Sequence, residues 1–313
     1  MPLDPEARVL LDLVATNGAP PIEETTPVEA RATRSALWSP VLEPCFATRD
    51  IDLDGVRGRL YVPSDPADET EPIGLLVYFH GGGWVLGDLE SHDNVCHALC
   101  RRSGHAVLAV DYRLAPEHPF PAGLNDCLAA VAWAHNHASE LGIDPERISI
   151  GGDSAGANLA AVVANETPVP LQLQLLVYPV TDARRDWPSY VENAEGYFLT
   201  TAAMIWFTGH YLAGPDGSPD DPRVSPLLAS LETIASGPPA FVITAGFDPL
   251  RDEGVAYVER LLEAGVRSAH IHYPNQIHAF FSMSHLLTDA RTALSAAAGA
   301  IADTRWPRQT EPD

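Results

Sequence analysis

Six short runs along the chain are almost continuously apolar: GLLVYFH (74–80), AVLAVDY (106–112), RISIGGD (147–153), LQLLVYP (173–179), AFVITAG (240–246) and AHIHYP (269–274). A strand with one face in water alternates, whereas one covered on both faces does not, so these runs predict the central strands of a mostly parallel sheet. Between them, the segments near 91–103, 123–139, 155–165, 252–264 and 284–302 have helical periodicity. One opens on Asp252 and Glu253 and closes at Gly265, acidic residues suiting the positive end of the helix dipole and glycine its C-terminal stop. Strands alternating with helices of this length predict an α/β doubly wound sheet with helices on both faces. Upstream, CFATRDIDL and VRGRLYVP alternate more clearly and are joined by Asp54-Gly55, which predicts an antiparallel hairpin at the sheet edge.

Two regions break the alternation. The first 40 or so residues suggest two helices, and residues 184–226 carry an aromatic-rich insertion, WPSYVENAEGYFLTTAAMIWFTGHYL, ahead of a turn-rich GPDGSPDDPR. Insertions after strand ends in such sheets often cover the ligand crevice.

Composition narrows the chemistry. With 313 residues the chain suits one large domain, or a domain with a subdomain, and can enclose a pocket. A net charge of −23 argues against nucleic acid and anionic membranes, since phosphate binding draws on clustered basic residues. Every basic side chain is arginine; the lack of lysine excludes a Walker-type phosphate loop, a pyridoxal Schiff base and a Ser/Lys dyad. The four cysteines show no CxxC spacing, and Cys96 and Cys100 fall on one helix face as small core residues. An acidic N-terminus and the lack of any run near ~18 apolar residues lead to the expectation of a cytoplasmic protein without a membrane span.

Against this background, two glycine clusters stand at strand ends. GGDSAG (151–156) places Ser154 at the centre of a GxSxG, directly after the strand RISI and before the apolar helix ANLAAVVA. In a nucleophile elbow the flanking glycines, here Gly152 and Gly156, remove side chains that would collide at the tight turn. The helix that follows aims free N–H groups toward developing negative charge, so the Ala155 amide is a candidate donor to an oxyanion. HGGGWVLGD (80–88) follows an earlier strand, and Gly81, Gly82 and Gly83 lack the side chains that would keep an acyl oxygen from their amides.

A serine nucleophile needs a base, and the base needs a carboxylate. Among twelve histidines, His278 lies between the last strand and the last helix, at the carboxyl edge of the sheet. Asp248 stands immediately beyond its strand, and the order Ser154, Asp248, His278 is the one this hydrolase architecture requires. Asp252 is the rival acid, set aside because its place at a helix start suggests capping. His80 is expected to fix the glycine loop. His270 and His272 could bind zinc with His278, but no HExxH supports that, and neither metal nor cofactor is expected. His135 and His137 are expected to be solvated on a polar helix face. On TAAMIWFTGHYL, Met204, Phe207 and Thr208 share a face by their spacing. Trp84, beside the glycine loop, is a better candidate for substrate contact.

Taken together, HGGGW, DYRLAPEHPFPA (111–122), GDSAGAN (152–158), EGYFLT (195–200), DPRVSPL (221–227), DPLRDEG (248–254) and IHAF (277–280) resemble the hormone-sensitive-lipase group of bacterial esterases, also called family IV, in its GDSAG branch. The resemblance implies an α/β-hydrolase fold with a helical cap. It divides the chain into an N-terminal cap portion (1–40), a first core portion (41–183), a cap insertion (184–226) and a second core portion (227–313). It further implies Ser154 as nucleophile, His278 as base, Asp248 as its orienter, and an oxyanion hole from Gly82, Gly83 and Ala155, with Gly81 shaping the loop. Hydrolysis of short- to medium-chain esters follows, with Trp84, Met204 and Phe207 in the substrate pocket and a homodimer as a possible assembly. Ala157, Asn275 and Ala279 stand where the family often has glycine. A non-catalytic ligand binder on the same fold is the competing class, and an intact His278 argues against it.

Overall fold

The computed structural model describes residues 1–16, 18–34, 40–65 and 71–303; parts of the expected divisions 1–40, 41–183 and 227–313 lie outside it. Strands Ala47–Asp52 (β1), Arg57–Val62 (β2), Ile73–Phe79 (β3), Ala106–Asp111 (β4), Ile143–Asp153 (β5), Gln174–Val177 (β6), Ala240–Phe247 (β7) and Ser268–Ile277 (β8) form one sheet ordered β1-β2-β4-β3-β5-β6-β7-β8. The β1·β2 and β2·β4 pairs are antiparallel, and the pairs from β4 to β8 are parallel. Asp54 and Gly55, both at positive φ, turn the β1–β2 hairpin, and the Gly55 amide donates to Asp52 Oδ1 at 2.7 Å.

The described helices are Pro5–Thr16 (α1), Pro27–Arg34 (α2), Asp93–Ser103 (α3), Ala122–Asn136 (α4), Ala138–Leu141 (α5), Ala155–Glu166 (α6), Ser189–Glu192 (α7), Thr201–Tyr211 (α8), Leu231–Ala235 (α9), Arg251–Glu263 (α10) and Thr288–Ala302 (α11). The unbroken apolar run of β3 is explained by two cores. Leu75, Val77 and Phe79 point into one core with α4, α6 and α10, while Leu76 and Tyr78 point into the other with α3 and α11. Cys96 and Cys100 are buried with this second group. No helix among the described residues is long and apolar enough to cross a membrane.

Three local expectations are corrected. The single helix expected over 123–139 divides at His137, whose Nδ1 lies 2.9 Å from the Trp133 carbonyl and whose ring stacks on that indole at 4.3 Å. His135 and His137 are therefore half-buried rather than solvated. The last helix begins at Thr288, because residues 284–287 are held in turns by Leu286 and Leu287 amides that both donate to the Met283 carbonyl. Finally, β8 runs past Pro274 to Ile277, beside Gly246, where a Cβ would lie 2.1 Å from the Pro274 carbonyl oxygen.

Candidate active site

The chain turns from β5 into α6 at Ser154, which has φ 55° and ψ −119°, a backbone state that L residues adopt only under constraint. The constraint is the packing on either side. A Cβ at Gly152 would lie 2.4 Å from the Phe79 carbonyl oxygen, and one at Gly156 would collide with that same oxygen, so both glycines are dictated by the neighbouring strand. The turn lifts Ser154 Oγ to 2.9 Å from His278 Nε2. On the other side of the ring, Nδ1 lies 2.7 Å from Asp248 Oδ2. The Leu250 amide donates to Asp248 Oδ1 at 2.9 Å, which fixes the carboxylate, and Asp248 is fully buried.

Carboxylate acceptance places the His278 proton on Nδ1 and leaves Nε2 a lone pair directed at the serine hydroxyl. Asp252 takes no part. Its carboxylate accepts from the Ser189 amide at 2.9 Å and from Arg251 Nε at 2.7 Å, and it does not cap α10, whose N-cap is Leu250. It ties α7 to α10 instead, which corrects the capping expectation while leaving the preference for Asp248 intact.

The glycine loop after β3 lines the same cavity as the Ser154 hydroxyl. Gly82 (φ 121°) and Gly83 (φ 61°) occupy left-handed backbone, and among the described residues nothing accepts their amide protons. Gly81 differs: its amide donates to Asp153 Oδ1 at 3.1 Å. His80 stabilises the turn, with Nδ1 2.8 Å from the Gly81 carbonyl and its ring stacked on Tyr112 at 4.3 Å. Burial lowers the His80 pKa to about 4, so its ring is neutral around pH 7.

A cavity of about 560 Å³ opens over Ser154 and His278. Gly82, Gly83, Trp84, Met204 and Phe207 line it, as do Leu10, Val14 and Ile22 from the N-terminal region and Met283, His285 and Leu286 from the loop after the histidine. A mostly apolar cavity meeting a few converged polar groups has the make-up of a small-molecule site.

The model of a family described by its α/β-hydrolase fold matches residues 76–282. The chain is 38% identical over 304 residues to the carboxylesterase NlhH of Mycobacterium tuberculosis, covering 93% of this chain and 92% of that protein. That settles the kinship. The chain belongs to the hormone-sensitive-lipase-like α/β-hydrolases. It is also 43% identical over 252 residues to the carboxylic ester hydrolase LipN of the same organism, covering 76% of this chain and 65% of LipN. An α/β-hydrolase from the metagenome of Lake Arreo, Spain, superposes with a TM-score of 0.89 at 39% identity, covering 96% of this chain and 98% of that one. An esterase from the archaeon Pyrobaculum calidifontis gives 0.88 at 37%, with 96% and 98% covered.

Within this α/β-hydrolase the sequence-selected residues fall unequally. Ser154, His278 and Asp248 are joined by hydrogen bonds, Gly82 and Gly83 line the same cavity as Ser154 and His278, and Ala155 opens α6 directly after Ser154. Met204 and Phe207 face the cavity, whereas Thr208 accepts from Arg185 at 2.7 Å and turns its own hydroxyl to the Met204 carbonyl. Trp84 reaches the cavity wall, but its indole lies flat on Tyr211 at 4.3 Å and 4° and is 1% exposed. His270 and His272 both contact the Thr244 hydroxyl at 2.8 Å, away from the partners of His278. Ala279, where the family resemblance leads to the expectation of glycine, is left-handed at φ 67°.

Sequence reading missed several groups. Asp153, His92 and Tyr78 form a polar cluster beneath the glycine loop, and the serine and histidine of Ser91-His92, just beyond that loop, were its only available sign. Glu253, fully buried, accepts from the Thr181 amide at 2.8 Å and the Asp182 amide at 3.3 Å, and burial raises its pKa well above the carboxylate range.

Proposed function

We propose that this α/β-hydrolase is a serine carboxylesterase, with Ser154 as nucleophile, His278 as general base and Asp248 as the group that orients it. Ser154 Oγ attacks the ester carbonyl carbon as its proton passes to His278 Nε2. Negative charge gathers on the carbonyl oxygen, where the amides of Gly82, Gly83 and Ala155 receive it. Collapse expels the alcohol, which takes the proton from His278, and leaves an acyl-enzyme. Water, deprotonated by the same imidazole, then releases the acid. The reading rests on one observation: an unbroken hydrogen-bonded line from Ser154 through His278 to Asp248 beneath an apolar cavity.

Residues 1–40 and 184–226 act in this reading as a cap over a core of 41–183 and 227–313. Met204, Phe207 and Trp84 limit the acyl group to short or medium length, the substrate class being small-molecule esters. The protein works in the cytoplasm, and two copies can pair along β8, the terminal strand of the sheet. The test is hydrolysis of p-nitrophenyl esters from acetate to laurate by wild type, Ser154→Ala and Phe207→Ala. Ser154→Ala should lose at least about 10⁴-fold in kcat, and Phe207→Ala should move the preferred chain upward. Equal turnover by wild type and Ser154→Ala would overturn the reading.

A further inference from the structure

One residue before Ser154, Asp153 makes a second carboxylate–imidazole pair. Its buried carboxylate accepts from Tyr78 Oη at 2.8 Å and from the Gly81 amide at 3.1 Å, and His92 Nε2 stands 3.1 Å from Oδ1 and 3.3 Å from Oδ2. Asp153, Ser91 and His92 all reach the wall of the catalytic cavity. The protonation of His92 follows from counting protons on its partners. His92 Nδ1 lies 2.8 Å from Ser91 Oγ, and that hydroxyl also lies 2.7 Å from the Asp88 carbonyl oxygen. A carbonyl has no proton to give, so the single serine proton goes to Asp88. Ser91 Oγ also accepts from the Asp88 amide at 3.0 Å, which leaves it only a lone pair for His92. Nδ1 must therefore carry a proton. At the other end of the ring an ionised carboxylate can only accept, so Nε2 carries one too. The Gly81 N–H is directed at both His92 Nε2, at 3.3 Å, and Asp153 Oδ1, at 3.1 Å; with Nε2 protonated, only the nearer carboxylate oxygen can accept it.

We propose that His92 is an imidazolium paired with the Asp153 carboxylate, and that this pair positions the oxyanion loop through Gly81. The inference rests on the catalytic reading above and assigns two further positioning residues to it. An uncompensated carboxylate beside the nucleophile would oppose the negative charge that forms on the substrate oxygen. The adjacent cation cancels it. The carboxylate also forms the seat of the loop, because a Cβ at Gly81 would lie 2.4 Å from Asp153 Oδ2. With the Gly81 amide turned down to Asp153, the next two amides are free to face the cavity.

Other titratable groups face the ring. His80, whose ring centre is 5.7 Å away, is kept neutral chiefly by burial. Tyr78 is 6.4 Å away, and burial raises its pKa far above the neutral range. Burial pushes the Asp153 carboxyl up, but His92 and the Tyr78 hydroxyl more than offset this and leave it below its ordinary value. The cavity wall also carries Glu23, His278 and His285.

Nitrogen NMR of the enzyme labelled with ¹⁵N-histidine tests the charge. At pH 7.5 the His92 signals, identified by their loss in His92→Gln, should show both ring nitrogens protonated; one protonated and one bare nitrogen would overturn the proposal. Should His92→Gln not fold, Asp153→Asn supplies the assignment, since only His92 should then lose a proton. For positioning, Asp153→Asn should lower kcat about ten- to hundredfold and leave KM for p-nitrophenyl butyrate within about twofold. Affinity for a phosphonate transition-state analogue should fall in parallel with kcat/KM. An unchanged kcat, or a fall in kcat without weaker analogue binding, would refute the positioning role. The NMR result does not depend on turnover, so a failure of the esterase reading remains distinguishable from a failure of this one.

Discussion

His278 and Asp248 meet through Nδ1 and Oδ2 at 2.7 Å, thirty positions apart in sequence and both buried. The pairing selects the tautomer that leaves Nε2 able to accept the Ser154 proton. Asp248→Asn keeps the shape but offers the ring a donor as readily as an acceptor, which favours the opposite tautomer. Turnover should drop by about 10⁴-fold while the fold, followed by circular dichroism, stays intact. A variant retaining more than a tenth of wild-type kcat would show that the carboxylate does not orient the base.

The glycine loop offers a graded test. At Gly82 an added Cβ would lie 2.3 Å from the Leu86 carbonyl oxygen, while at Gly83 it would lie 2.2 Å from the Phe207 ring. Backbone cannot step aside, but a ring can rotate. Gly82→Ala should therefore cost the full about 10²- to 10³-fold of a lost oxyanion donor, and Gly83→Ala less. Adding Phe207→Ala to Gly83→Ala should recover part of the loss in kcat/KM. Absence of coupling in that double-mutant cycle would mean that the ring is not what Gly83 accommodates.

Glu253 gives a stability prediction with a definite sign. Burial raises its folded pKa well above the ordinary 4.5, so the folded protein binds this proton more tightly than the unfolded chain does. That contribution is present in full below the unfolded pKa and is lost as pH rises toward the folded one, by at most about 1.4 kcal/mol per pH unit. Glu253→Gln retains an acceptor for the Thr181 amide and removes the titration. Its Tm should match or exceed wild type at pH 8, with the difference shrinking toward pH 5. A difference that grows on acidification would reverse the assignment.

The sheet and the hydrogen-bonded trio of Ser154, His278 and Asp248 were legible because their signals are local. A continuous apolar run marks a two-sided strand, and Ser154, Asp248 and His278 each follow such a run within a few residues. The pairing of Asp153 with His92 spans 61 positions and has no periodicity to betray it. The cavity wall was only half legible for a similar reason. Phe207 and Met204 announced themselves by helical spacing, whereas Leu286 stands in a stretch whose pattern resembled the start of a helix and Met283 just ahead of it. Leu10 and Val14 come from an N-terminal helix whose residues are mostly at the surface, and nothing in their spacing tells which part of that helix meets the cavity.

Gly83 lies directly against Phe207, so the element that would measure the acyl chain rests on the element that would stabilise the reacting oxygen. Selectivity and speed in this protein thus share a mechanical joint. Laboratory or natural evolution that recuts position 207 for a bulkier ester will disturb the reaction centre in the same stroke, and second mutations in the loop would be needed to restore it.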